Sequence, residues 1–212
     1  MTDKNLMDSL ASNVAAPMHS SFVAGRRCQQ LAKALSKLIG QEPCTGVDIG
    51  CGNGTVAKQI QVYVPNAQFK GVDVIVRSDA LVEVIKYDGS TLPFEDNSFD
   101  FALIVDVLHH TQRPEVVLKE AARVSRKFVV VKDHLSENGF DNMVLSFMDW
   151  VGNRAHGISL PYNYQSRSDW SRIFEECGLK VEERIDSLAL YPFPFTLLFD
   201  GSLHFAVRLA KL

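Results

Sequence analysis

Three glycines at alternate positions close one short apolar run, Val47-Asp48-Ile49-Gly50-Cys51-Gly52-Asn53-Gly54. A run of that kind reads as a buried strand that ends in a tight turn and feeds a helix. Glycine reaches positive φ without strain and carries no Cβ, so a ligand can lie against bare backbone there. The helix that follows begins with N–H groups that have no partner within the helix. Such a corner holds nucleotide-like molecules at the carboxyl edge of a parallel sheet.

Spacing narrows the choice. Dinucleotide loops follow G-x-G-x-x-G, in which the third glycine lets the helix approach the strand. Here the third glycine falls one residue early and Thr55 stands at the dinucleotide position. Asp73 ends the next apolar run, 19 positions after Gly54, and an acidic residue so placed can accept from both hydroxyls of a ribose. An aspartate inside an apolar strand, as Asp48 is, needs a partner, because an unpaired buried carboxylate is costly.

The run from Val47 to Gly54 resembles motif I of the class I S-adenosylmethionine-dependent methyltransferases. The segments Asp88-Gly89, Leu92-Pro93-Phe94 and Asp106-Val107-Leu108-His109-His110 extend the likeness to small bacterial, type 11-like members that act on small molecules. The resemblance implies S-adenosylmethionine as cofactor, with its methionine end over Gly50, Cys51, Gly52 and Gly54 and fixed in part by Asp48. It further implies ribose on Asp73 beside Val74, adenine on Asp88 and the Gly89 N–H, and a sulfonium lined by Asp106 and Val107. Where the acceptor must lose a proton, the candidate bases are His109, His110, His134 and Tyr162.

The rest of the chain suits this fold. Strands are expected over residues 46–49, 68–74, 81–87, 99–105, 127–132, 179–188 and 203–209. Helices are expected over 20–39, 55–63, 114–124, 140–151 and 168–177. Strands alternating with helices make an α/β, Rossmann-like, doubly wound sheet of seven mostly parallel strands, the last antiparallel. About eight residues separate the second and third strands, too few for a helical crossover, so the helix there is expected to be missing. No helix is expected between residues 189 and 201. One domain spans residues 1–212, with a helical lid over 1–42 and a flap over 136–168 that covers the acceptor. In the flap, Phe140, Met143, Val144, Phe147, Met148 and Val151 follow helical spacing. Trp150, Asn153, Arg154, His156, Gly157 and Pro161-Tyr162-Asn163-Tyr164 supply a polar–aromatic cluster. An apolar or aromatic acceptor is expected from it.

Composition excludes several classes. The formal net charge is −3 and no long Lys/Arg run appears, so no nucleic-acid partner is expected. Cys28, Cys44, Cys51 and Cys177 form no C-x-x-C and no Cys/His cluster has zinc spacing, so no metal is expected. Residues 1–10 lack an apolar signal core, and no apolar stretch reaches the roughly 18 residues of a membrane span; a cytoplasmic protein is expected, with a homodimer left open. Two rival classes remain. One is a non-catalytic S-adenosylmethionine-binding subunit that regulates or scaffolds a partner. The other, a nicotinamide oxidoreductase, is disfavoured by Thr55.

Overall fold

The apolar runs and amphipathic stretches assemble, in a computed structural model, into one seven-stranded sheet clothed by helices on both faces. The structure describes residues 21–153, 161–193, 196–200 and 202–212. In chain order the elements are α1 (Ser21–Ile39), β1 (Cys44–Ile49), α2 (Thr55–Tyr63), β2 (Ala67–Asp73), β3 (Val84–Lys86), β4 (Phe99–Val105), a 3-10 turn (Leu108–His110), α3 (Pro114–Val124), β5 (Ser125–His134), α4 (Gly139–Asn153), α5 (Arg167–Glu176), β6 (Leu179–Ile185), α6 (Thr196–Phe199) and β7 (His204–Lys211). The expected cap at Ser20 and the expected flap residues Arg154, His156 and Gly157 lie outside the described residues.

The sheet order is β3-β2-β1-β4-β5-β7-β6. Neighbours from β3 through β5 pair in parallel, while β7 runs antiparallel to both β5 and β6. The expected mostly parallel sheet with an antiparallel last strand is therefore the observed one. β1 and β4 sit at its centre, which places the glycine-rich corner where the strand order reverses. Alternate residues feed opposite faces. On β5, Phe128 and Val130 join the layer built with α1, α2 and α4, whereas Val129 and Val131 join the layer built with α3 and α5.

No helix lies between β2 and β3, as the short interval requires. β3 is shorter than expected, three residues rather than seven. Its entry is diverted, because the Leu81 N–H donates to the Asn53 carbonyl at 2.8 Å and so docks on the glycine corner instead of on β2. Helix α5 starts one residue early, with Ser166 rather than Ser168 as its cap: the Ser166 Oγ accepts the Asp169 N–H at 3.1 Å. A single helical turn, α6, occupies part of the segment expected to lack one. Asp200 stabilises that corner by accepting the N–H groups of Leu190 at 2.8 Å and Tyr191 at 3.1 Å.

One glycine is dictated by packing alone. A Cβ on Gly46 of β1 would run into the Phe101 ring of β4. That ring stacks on Phe128 at 5.4 Å and meets the edge of Phe69 at 5.6 Å, so it has little room to move. Gly46→Ala should cost about 1–3 kcal/mol through overpacking. A urea titration should show a lower midpoint at unchanged slope; an unchanged midpoint would mean that the aromatic stack yields freely.

Candidate active site

The corner after β1 takes the conformation that its glycines permit. Gly50, Gly52 and Gly54 have φ of 71°, 59° and 79°. A Cβ on Gly50 would collide with the Val107 side chain, and one on Gly54 with Val82. Nothing lies within 4 Å of the position a Gly52 Cβ would take, so this backbone is bare on one side. The N–H groups of Gly50 and Cys51 both donate to the Val72 carbonyl, at 2.8 and 3.2 Å. The Gly52 N–H donates to Asp73 Oδ2 at 2.8 Å, and the Thr55 N–H to Asn53 Oδ1 at 3.2 Å. What this corner offers a ligand is thus an uncovered Cα surface more than a row of free amides.

Carboxylates gather around it. Asp48 is 2% exposed and its Oδ2 has no hydrogen-bond partner among the described residues. Burial, aided by the nearby Asp73 charge, pushes its carboxyl up to about 7. Asp73 ends β2 with Oδ2 on Gly52 and Oδ1 accepting the Ile75 N–H at 2.9 Å. Asp88 curls onto its own turn: Oδ1 accepts the N–H groups of Ser90 at 2.8 Å and Thr91 at 2.7 Å and the Ser90 hydroxyl at 2.9 Å. Those bonds hold its carboxyl below the ordinary range. A Cβ on Gly89, at φ 84°, would come within 3.3 Å of Val74. Tyr87 stands in the same group. Burial and the charges of Asp73 and Asp88 raise its phenol to about 12.

A second group sits at the carboxyl ends of β4 and β5. Asp106, at φ 55°, accepts Arg27 from α1 at 2.6 Å and pairs with the fully buried Lys132. Burial opposes its charge, but Lys132 and then Arg27 overcome that and hold the carboxyl well below the ordinary range. His109 is 1% exposed; its Nδ1 lies 2.7 Å from Asp133 Oδ1 and its Nε2 3.3 Å from Asp149 Oδ2. Burial would lower its pKa, and the two carboxylates more than reverse that. His110 is pushed down to about 4 by burial and by His109. His134 is also lowered, by burial and by Lys132, and its Nδ1 lies 3.3 Å from His109 Nδ1.

Residues 163 and 164 are pinned onto this group. The Asn163 N–H donates to the His109 carbonyl at 3.3 Å, and its side-chain amide to the Thr111 carbonyl at 2.8 Å. Tyr164 lays its ring 5.7 Å from that of His109 and donates its hydroxyl to Asp149 of α4 at 2.5 Å. Tyr162 is one ring further out, 37% exposed and 6.4 Å from Tyr164. The structure therefore brings His109, His110 and His134 together and leaves Tyr162 at the rim. The two groups of residues touch where Val107 packs over Gly50.

Residues 47–129 match the family model described as a methyltransferase domain. Over these residues, about two fifths of its length, the chain is similar to the methyltransferases of that family. A tRNA (carboxymethyluridine(34)-5-O)-methyltransferase of Schizosaccharomyces pombe is 36% identical to it over 88 residues, 40% of this chain and 37% of that one. A fatty-acid O-methyltransferase of Mycolicibacterium smegmatis is 29% identical over 121 residues, 52% of this chain and 43% of that one. The chain thus spans about two fifths of the length of these relatives. In fold it is similar to geranyl diphosphate C-methyltransferase from Streptomyces coelicolor, solved with S-adenosyl-L-homocysteine: TM-score 0.64 at 17% identity, covering 85% of this chain and 78% of the other.

Several polar residues of the site are invisible to motif reading. Arg27, Lys132, Asp133, Asp149 and His204 all belong to the buried network, yet none lies in a recognisable pattern. The one available signal is a charged triplet, Lys132-Asp133-His134, at the end of an otherwise apolar strand.

Asp48 gives the site a testable pH dependence. A carboxyl at about 7 when folded and at about 3.9 when unfolded stabilises the protein while it stays protonated. That contribution is full near pH 4 and fades as pH rises through 7. Relative to wild type, Asp48→Asn should therefore be more stable at pH 8 than at pH 4.5, by a difference on the order of 3 kcal/mol. Urea unfolding at the two pH values measures it, and an equal difference at both would refute the shift.

Proposed function

We propose that this protein transfers a methyl group from S-adenosylmethionine to a small acceptor. The observation that carries the reading is the unpartnered, buried Asp48 oxygen beneath a bare glycine corner. A buried carboxylate lacking a partner calls for a cation, and the cofactor's methionine end brings an ammonium group. Gly50, Cys51, Gly52 and Gly54 shape the floor for that end. Asp73 keeps lone pairs for ribose hydroxyls, Val74 and Gly89 frame the purine, and Asp88 keeps its second oxygen for the adenine amino group.

Bound there, S-adenosylmethionine supplies a methyl already activated by the positive sulfur. The protein's share is alignment and exclusion of water, which can contribute up to ~7–11 kcal/mol. Asp106 and Val107 line the sulfonium side. Among the proposed bases, His109 ranks first because Asp133 fixes its ring; His110, His134 and Tyr162 follow. In this reading residues 1–42 form the lid and residues 136–168 the acceptor flap. Phe140 and Met143 of α4 are 59% and 61% exposed, which favours an apolar or aromatic acceptor, as does the likeness to a fatty-acid O-methyltransferase. The formal charge of −3 weighs against tRNA as the acceptor despite the likeness to a tRNA enzyme.

Calorimetry with S-adenosylhomocysteine and S-adenosylmethionine tests the reading. Both should bind at one site per chain. At pH 6 binding should release up to about one proton as Asp48 ionises, seen as heats that differ between buffers, and Asp48→Asn should lose that release. Gly50→Ala combines a positive φ with a clash against Val107 and should weaken binding roughly tenfold or more. Absence of both heat and thermal shift with either ligand sinks the proposal.

A further inference from the structure

The His109 ring is oriented for more than packing. Asp133 faces one side of it, with Oδ1 2.7 Å from Nδ1. Asp133 is itself fixed, accepting the N–H groups of His134 at 2.8 Å and Leu108 at 3.0 Å. In the neutral ring a carboxylate anchored in this way places the hydrogen on Nδ1 and the lone pair on Nε2, the atom that a cation takes in place of a proton. That Nε2 is buried with no hydrogen-bond partner among the described residues. His110 presents a second atom of the same kind, a buried Nδ1 without a partner. The two rings stand 4.0 Å apart, centroid to centroid. Asp149 Oδ2 lies 3.3 Å from His109 Nε2 and is steadied by the Tyr164 hydroxyl.

We propose that His109 Nε2, His110 Nδ1 and the Asp149 carboxylate hold a divalent transition-metal cation, with Asp133 as the carboxylate behind His109. One ring nitrogen from each histidine and one Asp149 oxygen fall within 4.8 Å of one another. With the two rings neutral all three are lone-pair donors, and one cation satisfies them together. Two ligands about 2.0–2.1 Å from a shared tetrahedral ion stand roughly 3.3 Å apart, the separation seen between His109 Nε2 and Asp149 Oδ2. A carboxylate hydrogen-bonded to the far nitrogen of a ligand histidine is the usual outer support of such sites. Imidazole with carboxylate suits zinc, cobalt, iron or nickel better than magnesium or calcium. The nearby ammonium of Lys132 is turned to Asp106 and His204, so its charge is already paired. The other triad, His109 Nδ1 with Asp133 and His134, is closed by its own hydrogen bonds and is the weaker choice.

Three protein ligands leave one position open. The inference deepens the proposed function and rests on it in one respect: with His109 and His110 engaged as ligands, the cation replaces them in easing loss of the acceptor's proton, and the open position would take an oxygen of the methyl acceptor, making that acceptor an oxygen nucleophile. Untagged protein, stripped with a chelator and dialysed against cobalt(II) or zinc(II), provides the test. One cobalt per chain is expected, with the visible bands of a four- or five-coordinate ion. Zinc X-ray absorption should show nitrogen and oxygen donors with imidazole scattering. Asp149→Asn and His110→Ala should each weaken cobalt binding roughly tenfold or more while keeping a cooperative thermal transition. No stoichiometric binding by folded wild type, sulfur scattering at the zinc edge, or undiminished affinity in both variants overturns the site. Should a variant not fold, the absorption spectrum of the wild type still decides. S-adenosylhomocysteine titrated into metal-free protein separates the two readings: heat without a metal site removes the cation alone, and a metal site without heat removes the cofactor alone.

Discussion

The buried charge cluster at Asp106 is the constraint on which the site depends. Arg27 reaches it from α1 and Lys132 from β5, and the residue itself ends β4 at a positive φ. Three separate elements are therefore tied at one carboxylate. Withdrawing the shared carboxylate would leave the fully buried Lys132 ammonium without its anion, a cost of about 3–5 kcal/mol. The turn that follows inherits its direction from this anchor. Val107 folds back over Gly50, and Leu108 to His110 form a single tight turn whose imidazoles face inward. The Leu108 N–H, donated to Asp133 at 3.0 Å, holds the reversal from the other side.

The same cluster explains why a helix at the chain's start matters to chemistry at the sheet's centre. Leu31, Leu35 and Leu38 of α1 are buried in the apolar layer shared with α2 and β5. Arg27, one turn before Leu31, then points its guanidinium at the site, where Tyr191 also bonds it. Packing at one end of the helix thus sets the position of a charge at the other. The antiparallel placement of β7 works to similar effect. It carries His204 alongside Lys132 and lets that ring donate to the Phe199 carbonyl at 2.8 Å. This holds the ring as a neutral neighbour that accepts from the ammonium, a state its burial also favours.

Legibility in the sequence followed the range of the interaction. β4 was readable to its ends, Phe99 and Val105, because a central parallel strand is apolar throughout. The glycine corner and Asp73 were readable because backbone geometry demands those residue types at those offsets. β3 was not: its length is set by a bond between Leu81 and Asn53, 28 positions apart, that leaves no trace in local pattern. The network around His109 was half readable. Adjacent histidines after an apolar strand stand out, but their partners do not. Asp133 looks like the solvated end of a strand. Asp149 looks like an ordinary polar position on an amphipathic helix, and only the fold carries it 40 residues back to His109.

That difference bears on the expectation that no metal is bound. Zinc spacing, as a sequence pattern, detects ligands that are close along the chain. The His109, His110 and Asp149 group has two neighbours in sequence and one far removed, so the pattern cannot contain it. Physical cost is the better guide. Apolar strands exclude water from this end of the sheet, and each polar atom there must find a partner or lose hydration without return. Asp133 finds three donors and Lys132 finds two acceptors. Asp48 Oδ2, His109 Nε2 and His110 Nδ1 find none among the described residues. These three atoms are all acceptors of positive charge, and they flank the contact between Gly50 and Val107. The other buried side-chain atoms without a partner among the described residues, Arg26 Nε, Arg27 Nε and Arg184 Nη2, are donors, so the unmet acceptors are those three, and a buried lone pair left without a donor is the kind of group that a cation compensates.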